Sequence, residues 1–277
     1  MAESRKVTKL FGAAGAALLA LSGAALADGY EGSVKDAPAK PEREFTYSFG
    51  LTGTSEYVFR GISQTDEDPT IQGTINVGYG ILYAGVWGSG LDFGGGPTTT
   101  GGDAEIEVDW YGGIKPTWGK ATFDFGIIYY TYPGASDSDT ELDYVEFKAG
   151  VSGEVLNKLT AGAIFYYSPE YGGEIGAVWT VEGSLAYALP TVGIFTPTVS
   201  GLVGYQEGDS SDGYNGGIAL GLDDSYTYWN AGLTLAVEKI AFDFRYWDTD
   251  LDPGALCGTT LLQCDERFVF SATVTLP

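Results

Sequence analysis

Glu44-Phe45-Thr46-Tyr47-Ser48-Phe49-Gly50-Leu51-Thr52 alternates large apolar side chains with small or polar ones, residue by residue. A strand turns successive side chains to opposite faces, so Phe45, Tyr47, Phe49 and Leu51 share one face and Thr46, Ser48, Gly50 and Thr52 the other. The same phase runs on through Tyr57 and Phe59. It returns at Ile71, Ile75, Val77 and Tyr79, at Phe123, Phe125, Ile127 and Tyr129, and at Phe242, Phe244 and Tyr246. Further along, Phe268, Phe270, Ala272, Val274 and Leu276 repeat it, while Ile106, Val108 and Trp110 interleave with Glu105, Glu107 and Asp109. Twelve such segments can be counted, near 44–61, 69–79, 81–92, 103–117, 120–132, 142–155, 158–168, 175–189, 193–206, 226–238, 240–250 and 266–276. The segment at 81–92 is mixed on both faces. No stretch carries a helical period.

The connections alternate in length. Those at Gly80, Trp118-Gly119, Leu156-Asn157, Pro190-Thr191 and Lys239 are tight; those at 62–68, 93–102, 133–141, 169–174, 207–225 and 251–265 are long and rich in Asp, Ser and Gly. Short turns at one end and long loops at the other are the mark of an outer-membrane barrel, whose strands of about ten residues cross the bilayer at a tilt. A secreted β-sandwich of similar strand count is the competing architecture. A sandwich hides its apolar face and shows a polar exterior. Here the face opposite the apolar one carries Thr, Ser, Gly, Asn and carboxylates, which is tolerable in an interior only if wet or paired. The expectation is an all-β, transmembrane, antiparallel up-and-down β-barrel of about 12 strands, spanning 44–277, with short periplasmic turns and longer extracellular loops.

Residues 1–27 read as a signal peptide. Arg5, Lys6 and Lys9 form a basic start, Leu10 to Leu21 is apolar, and Ala25-Leu26-Ala27 is a cleavage signature before Asp28. The apolar run is shorter than the ~20 residues a membrane helix needs, which weighs against an anchor. Residues 28–43 are polar with two Pro and read as a disordered lead-in. Export implies a compartment in which disulfides persist. No later segment is apolar enough for a helical span.

Composition narrows function. The chain has no His, which excludes Ser-His-Asp and Cys-His catalysis and His-ligated metals. With 14 Lys+Arg against 37 Asp+Glu, the net charge is −23, and a nucleic-acid partner is disfavoured. No metal site or cofactor is expected. A glycosidase pair drawn from Glu105/Glu107 or Asp124/Asp243 can be nominated only because acids abound; the chain is read as a non-enzyme.

Two stretches are more specific than the alternation. Ser55-Glu56-Tyr57-Val58-Phe59-Arg60-Gly61-Ile62-Ser63-Gln64-Thr65 and Leu82-Tyr83-Ala84-Gly85-Val86-Trp87-Gly88-Ser89 resemble the paired signature of the TorF family of porins of Gram-negative bacteria. The resemblance runs from about Tyr47 to the C-terminus. It implies an outer-membrane β-barrel with a channel role and brings no catalytic residues and no established substrate. One departure is that the sequence closes on Val274-Thr275-Leu276-Pro277, without the terminal aromatic common in such barrels.

If the aromatic face meets lipid, the opposite parity lines the lumen. That places Glu56, Arg60, Glu105, Glu107, Asp109, Lys115, Asp124, Glu146, Lys148, Glu182, Asp243, Arg245 and Arg267 inside, with Glu105, Glu107 and Asp109 as an acidic ladder. Acid-rich walls favour cations, so the expected function is passive diffusion of small solutes with a cation bias. The alternative is a closed barrel whose interior charges pair and whose acidic loops have a structural or surface-binding role. Acidic clusters such as Asp66-Glu67-Asp68 and Asp248, Asp250 and Asp252 read as solvated loops, open to bridging to lipopolysaccharide by divalent cations. Cys257 and Cys264, with six residues between them in the last long loop, are expected to form a disulfide. Aromatic residues near segment ends (Tyr57, Phe59, Tyr83, Trp87, Trp118, Tyr129, Tyr130, Tyr132, Tyr166, Tyr167, Tyr226, Tyr228, Trp229, Tyr246, Trp247) are expected to form the two interfacial girdles.

Overall fold

Alternating sequence becomes alternating exposure. Along β1 (Phe45–Thr54) every apolar residue from Phe45 to Leu51 is exposed and every intervening Thr, Ser or Gly is half-buried. A computed structural model of the chain describes residues 45–93, 104–135, 141–208, 225–251 and 263–277. The expected leader at 1–27, the lead-in at 28–43, Cys257 and several of the acidic loop clusters lie outside these. Among the described residues there is no helix. The strands that follow β1 are β2 (Val58–Phe59), β3 (Ile62–Ser63), β4 (Thr70–Tyr79), β5 (Leu82–Gly90), β6 (Ile106–Ile114), β7 (Thr117–Trp118) and β8 (Ala121–Thr131). Then come β9 (Tyr144–Leu156), β10 (Leu159–Ser168), β11 (Val178–Ala188), β12 (Thr196–Gly208), β13 (Ser225–Val237), β14 (Ile240–Thr249) and β15 (Arg267–Leu276).

Twelve of these close a barrel. Each pairs antiparallel with its chain neighbour, in the order β6-β5-β4-β1-β15-β14-β13-β12-β11-β10-β9-β8, and β8 pairs back with β6. The first and last barrel strands meet in register from Phe49↔Leu276 to Thr54↔Ser271. Closure leaves no free sheet edge, which removes the unpaired backbone groups that neither lipid nor a dry interior tolerates. The even count sets both ends of the barrel chain on the short-turn side. β7 is a two-residue extension beside the start of β8.

Outside, the wall is apolar: Phe49, Leu51, Ile75, Trp110, Phe147, Val203, Phe244 and Phe268 are all exposed. Inside, polar groups bond across strands, as in Thr52–Thr273 at 2.8 Å and Asn76 to Ser48 at 3.3 Å. The two ends differ in charge. The six long connections carry no Lys and a single Arg, Arg60, whereas Lys115, Lys120, Lys158 and Lys239 all sit at short turns.

Three expectations are corrected. The alternation from 44 through 61 is not one strand: β1 stops at Thr54, where Thr54 Oγ1 donates to the Glu56 carbonyl at 2.7 Å, and the chain turns into the barrel. Tyr57 therefore ends 2% exposed rather than on the outer face. The mixed segment at 81–92 takes a definite orientation, with Tyr83, Trp87 and Ser89 inward and Leu82 and Ala84 outward. The expected girdles are only partly so. Tyr57, Trp87, Tyr130, Tyr166, Tyr226, Tyr228 and Trp247 are buried, while Trp118, Tyr129 and Tyr167 are exposed. Adjacent aromatics such as Tyr129-Tyr130 must face opposite sides of a pleated strand, so one of each pair turns into the lumen.

Candidate functional site: the occupied mouth and the charged lumen

The segment from Ser55 to Pro69 enters the barrel from the long-loop end. β2 and β3 pair as a small hairpin through Val58↔Ser63 and Phe59↔Ile62, and its turn is Arg60-Gly61. Both turn residues have positive φ, 50° and 84°. That is the backbone of a two-residue hairpin turn that suits the strand twist, and glycine takes it without strain. Space adds to the requirement. A Cβ on Gly61 would run into the Thr249 methyl group and lie 3.0 Å from the Tyr228 Cβ. Gly61→Ala is expected to cost about 1–3 kcal/mol through turn strain alone, read as a lower urea midpoint of the folded barrel. An unchanged midpoint would mean that the hairpin is not seated as described.

At the hairpin tip, Arg60 is 3% exposed and reaches the far wall. Its guanidinium donates to Glu146 Oε2 on β9 at 2.9 Å and to Gln206 Oε1 on β12 at 3.0 Å. It also lies over the Phe59 and Tyr166 rings, at 4.7 and 5.0 Å. Tyr226 OH donates to the Arg60 carbonyl at 3.2 Å, and Tyr130 OH donates to the same Glu146 oxygen at 2.8 Å. Charge-assisted bonds of this kind are about twice as strong as neutral ones. One arginine thus ties the inserted hairpin to two strands of the opposite wall.

On the other side of the hairpin stand β5 and β6. Tyr57 OH donates to Glu107 Oε1 at 3.1 Å, and the Tyr57 ring meets Trp87 edge-on at 5.1 Å. Burial first, then the Glu107 charge, pushes the Tyr57 phenol well above the usual tyrosine value, so it remains a neutral donor. Asp109 lies further along β6, 0% exposed, beside Glu107, and neither of its carboxylate oxygens takes a hydrogen bond from a donor of the barrel wall. Glu56 accepts from Arg267 at the base of the hairpin.

Nearer the short turns the interior charges sort into two sets. Lys148 Nζ and Lys115 Nζ lie 3.1 and 3.5 Å from Asp124 Oδ2, and Tyr83 OH donates to Asp124 Oδ1 at 2.7 Å. Arg245 bonds Asp243 at 2.9 Å, Asn230 at 2.7 Å and Ser200 at 3.1 Å. Glu182, at mid-depth, accepts from Tyr228 OH at 2.6 Å. Of the three ladder residues, Glu107 and Asp109 are buried together, while Glu105 precedes β6 and is exposed. Cys264 is buried beneath the hairpin side of the mouth, its backbone carbonyl accepting from Thr249 Oγ1 at 3.0 Å; its expected partner lies outside the described residues.

Charge parity alone does not find Gln206, Tyr130, Tyr166, Tyr226 or Tyr228, all of which build the site. The signal available was the pairing of adjacent aromatics, Tyr129-Tyr130 and Tyr166-Tyr167, which forces one ring of each pair inward. Beside the hairpin, at the mouth, a cavity of about 240 Å³ is lined by six aromatic side chains and by polar ones that include Ser63, Gln64, Asp66 and Gln263. No group of three or more Asp, Glu, Cys or His among the described residues is arranged to hold a metal ion.

The fold has known counterparts. The chain is similar to the NanC porin, with a TM-score of 0.53 at 11% identity over 83% of this chain and 99% of that one. It is likewise similar to the KdgM porin, with a TM-score of 0.52 at 7% identity and the same coverages. A second structure of that protein is described as KdgM porin in complex with disordered oligogalacturonate. At such identities the likeness establishes an outer-membrane barrel fold and nothing about the solute. No curated protein matches the chain. Residues 38–276 match the model of a family described as bacterial protein of unknown function (Gcw_chp).

Proposed function

The chain belongs to the Gcw_chp family, whose description assigns no function, and from that premise we propose that this outer-membrane barrel is a passive diffusion channel for small polar solutes that favours cations. Lipid covers the apolar outer wall, and lipopolysaccharide surrounds the acidic loops. The carrying observation is the polarity of the barrel: its mouth holds Glu56, Glu107, Asp109 and Glu146 against Arg60 and Arg267, and its long connections hold no other base. Rings of one charge sign set selectivity in a narrow pore, and an acidic entrance raises the local concentration of cations. The porin neighbours and the TorF-like hairpin segment support a transport role. The hairpin supplies the constriction, and pairing of Cys257 with Cys264 would close a ring within the last long loop.

The test is a planar bilayer recording of the purified barrel in a KCl gradient. Discrete current steps with a reversal potential on the cation side are expected. Replacing Glu105, Glu107 and Asp109 together by amides moves that potential toward the non-selective value. An unmoved potential would remove these acids from the selectivity argument. A second reading, a barrel closed by its own hairpin, draws on the burial of Tyr57, Val58 and Arg60 in the mouth. It predicts silence in the same recording from a protein that still shows heat-modifiable gel mobility.

A further inference from the structure

The mouth cavity has a chemistry of its own. Its wall includes Phe93, Tyr132, Tyr144 and Tyr171, with Asp66 and Asp92 as the acidic groups, and no Lys or Arg among the described residues. The rings are set as two tilted pairs. Tyr144 and Tyr171 lie 4.6 Å apart at 44°, and Phe93 and Tyr132 lie 6.4 Å apart at 51°. Tilted pairs form a cup rather than a flat platform. The stack beneath, Tyr130 on Tyr144 at 4.3 Å, fixes the floor. Burial pushes the Tyr132 and Tyr171 phenols above the usual tyrosine value, so both stay neutral and add no charge of their own.

We infer that this cup is a binding site for small organic cations, primary or quaternary ammonium compounds, at the entrance of the lumen. Ring faces carry a negative quadrupole that attracts a cation within about 6 Å, and the attraction grows as water is excluded. Carboxylates accept but do not donate when ionised, so they complement an ammonium and repel an anion. The one nearby base, Arg60, reaches the inner wall of the cup, where it donates to Gln206, lies over Phe59 and meets Tyr171; Glu146 balances its charge there, so the net charge of the wall is set by Asp66 and Asp92. Asp66 is held at the rim by Gln263, whose side-chain amide donates to it at 3.0 Å. A neutral sugar would gain the ring contacts but nothing from the acidic field. A carboxylate solute would gain neither. The site rests on the channel reading, since it names the solute class collected at the entrance, but its occupancy does not depend on current flowing.

The experiment is titration calorimetry of choline into the full barrel folded in zwitterion-free, non-ionic detergent, with glucose and acetate as parallel titrants. Choline is expected to bind saturably and the other two not. Tyr171→Leu, which keeps bulk but removes the ring face, is expected to weaken choline roughly tenfold. Asp66→Asn, an exposed change that leaves the cup intact, is expected to weaken it about threefold through the lost charge. Heat-modifiable mobility identifies any variant that fails to fold, and Asp66→Asn then carries the comparison. If choline produces no saturable heat in a folded barrel, or glucose binds as well as choline, the inference is overturned, whether or not the barrel conducts. If choline binds and the bilayer stays silent, the site stands and the channel reading falls.

Discussion

Arg60→Ala barrels are expected to carry larger unit currents than the parent and to unfold at lower urea, both changes from one cause. The guanidinium links the inserted hairpin to Glu146 and Gln206, and it is 3% exposed beside a Glu146 that is 1% exposed. Removing one partner of a buried pair leaves the other charge unpaired, at a cost of about 3–5 kcal/mol where water cannot enter. Here the relief is to move the hairpin and admit water from the lumen, so stability falls by less and the mouth widens. Arg60→Lys keeps the charge but lacks the planar fork that reaches two acceptors at once, so its currents and midpoint fall between those of the parent and the alanine variant. Unchanged currents in Arg60→Ala would mean that the hairpin does not bound the conducting path.

The opposite sign is expected at Asp109. Its carboxylate is 0% exposed, takes no hydrogen bond from a donor of the barrel wall and has Glu107, on the same inward face, as its polar neighbour. A buried polar group without a partner costs about 1–3 kcal/mol, and more if charged. Asp109→Asn has the same shape, removes the like charge beside Glu107 and offers an amide N–H in its place. The variant is expected to gain at least ~1 kcal/mol of stability at neutral pH, read as a higher urea midpoint, while giving up part of its preference for cations. A stabilised variant with the parent's selectivity would separate the two roles. A destabilised one would mean that Asp109 has a partner that the bare protein does not reveal.

The barrel itself was legible because its rule is local. Period two, the strand count and the long–short alternation of connections each follow from residues within a few positions of one another, and closure by β1 against β15 follows from the even count. The bounds were less legible where the chain changes role without changing pattern. Tyr57 and Phe59 continue the parity of Phe45 to Leu51 but belong to a different hairpin, because nothing local in Ser55-Glu56 announces a turn into the lumen. The site was half legible. Charged residues on the inward parity could be named one by one, but which of them meet depends on strands far apart in sequence: Arg60 finds Glu146 and Gln206 across the lumen, and Arg267 finds Glu56. The aromatic interior was hidden for a different reason. Tyrosine suits lipid headgroups and wet lumens equally, so residue type could not choose a side; only neighbours in the strand could.

The separation of acids at the long loops from lysines at the short turns makes the two openings unlike. The short turns hold Glu154 and Glu238 beside their lysines, so that opening is nearly balanced while the other is strongly acidic; a narrow conduit charged at one opening only rectifies, because ions accumulate inside under one polarity of applied voltage and are depleted under the other. Current–voltage curves of this barrel, inserted in one orientation, should therefore bend rather than run straight, and the direction of the bend reports which opening faces the added protein. For a conducting barrel the same asymmetry would make the flux of a cationic solute under a given gradient differ from the flux under the reversed gradient, while at equal concentrations the two directions balance.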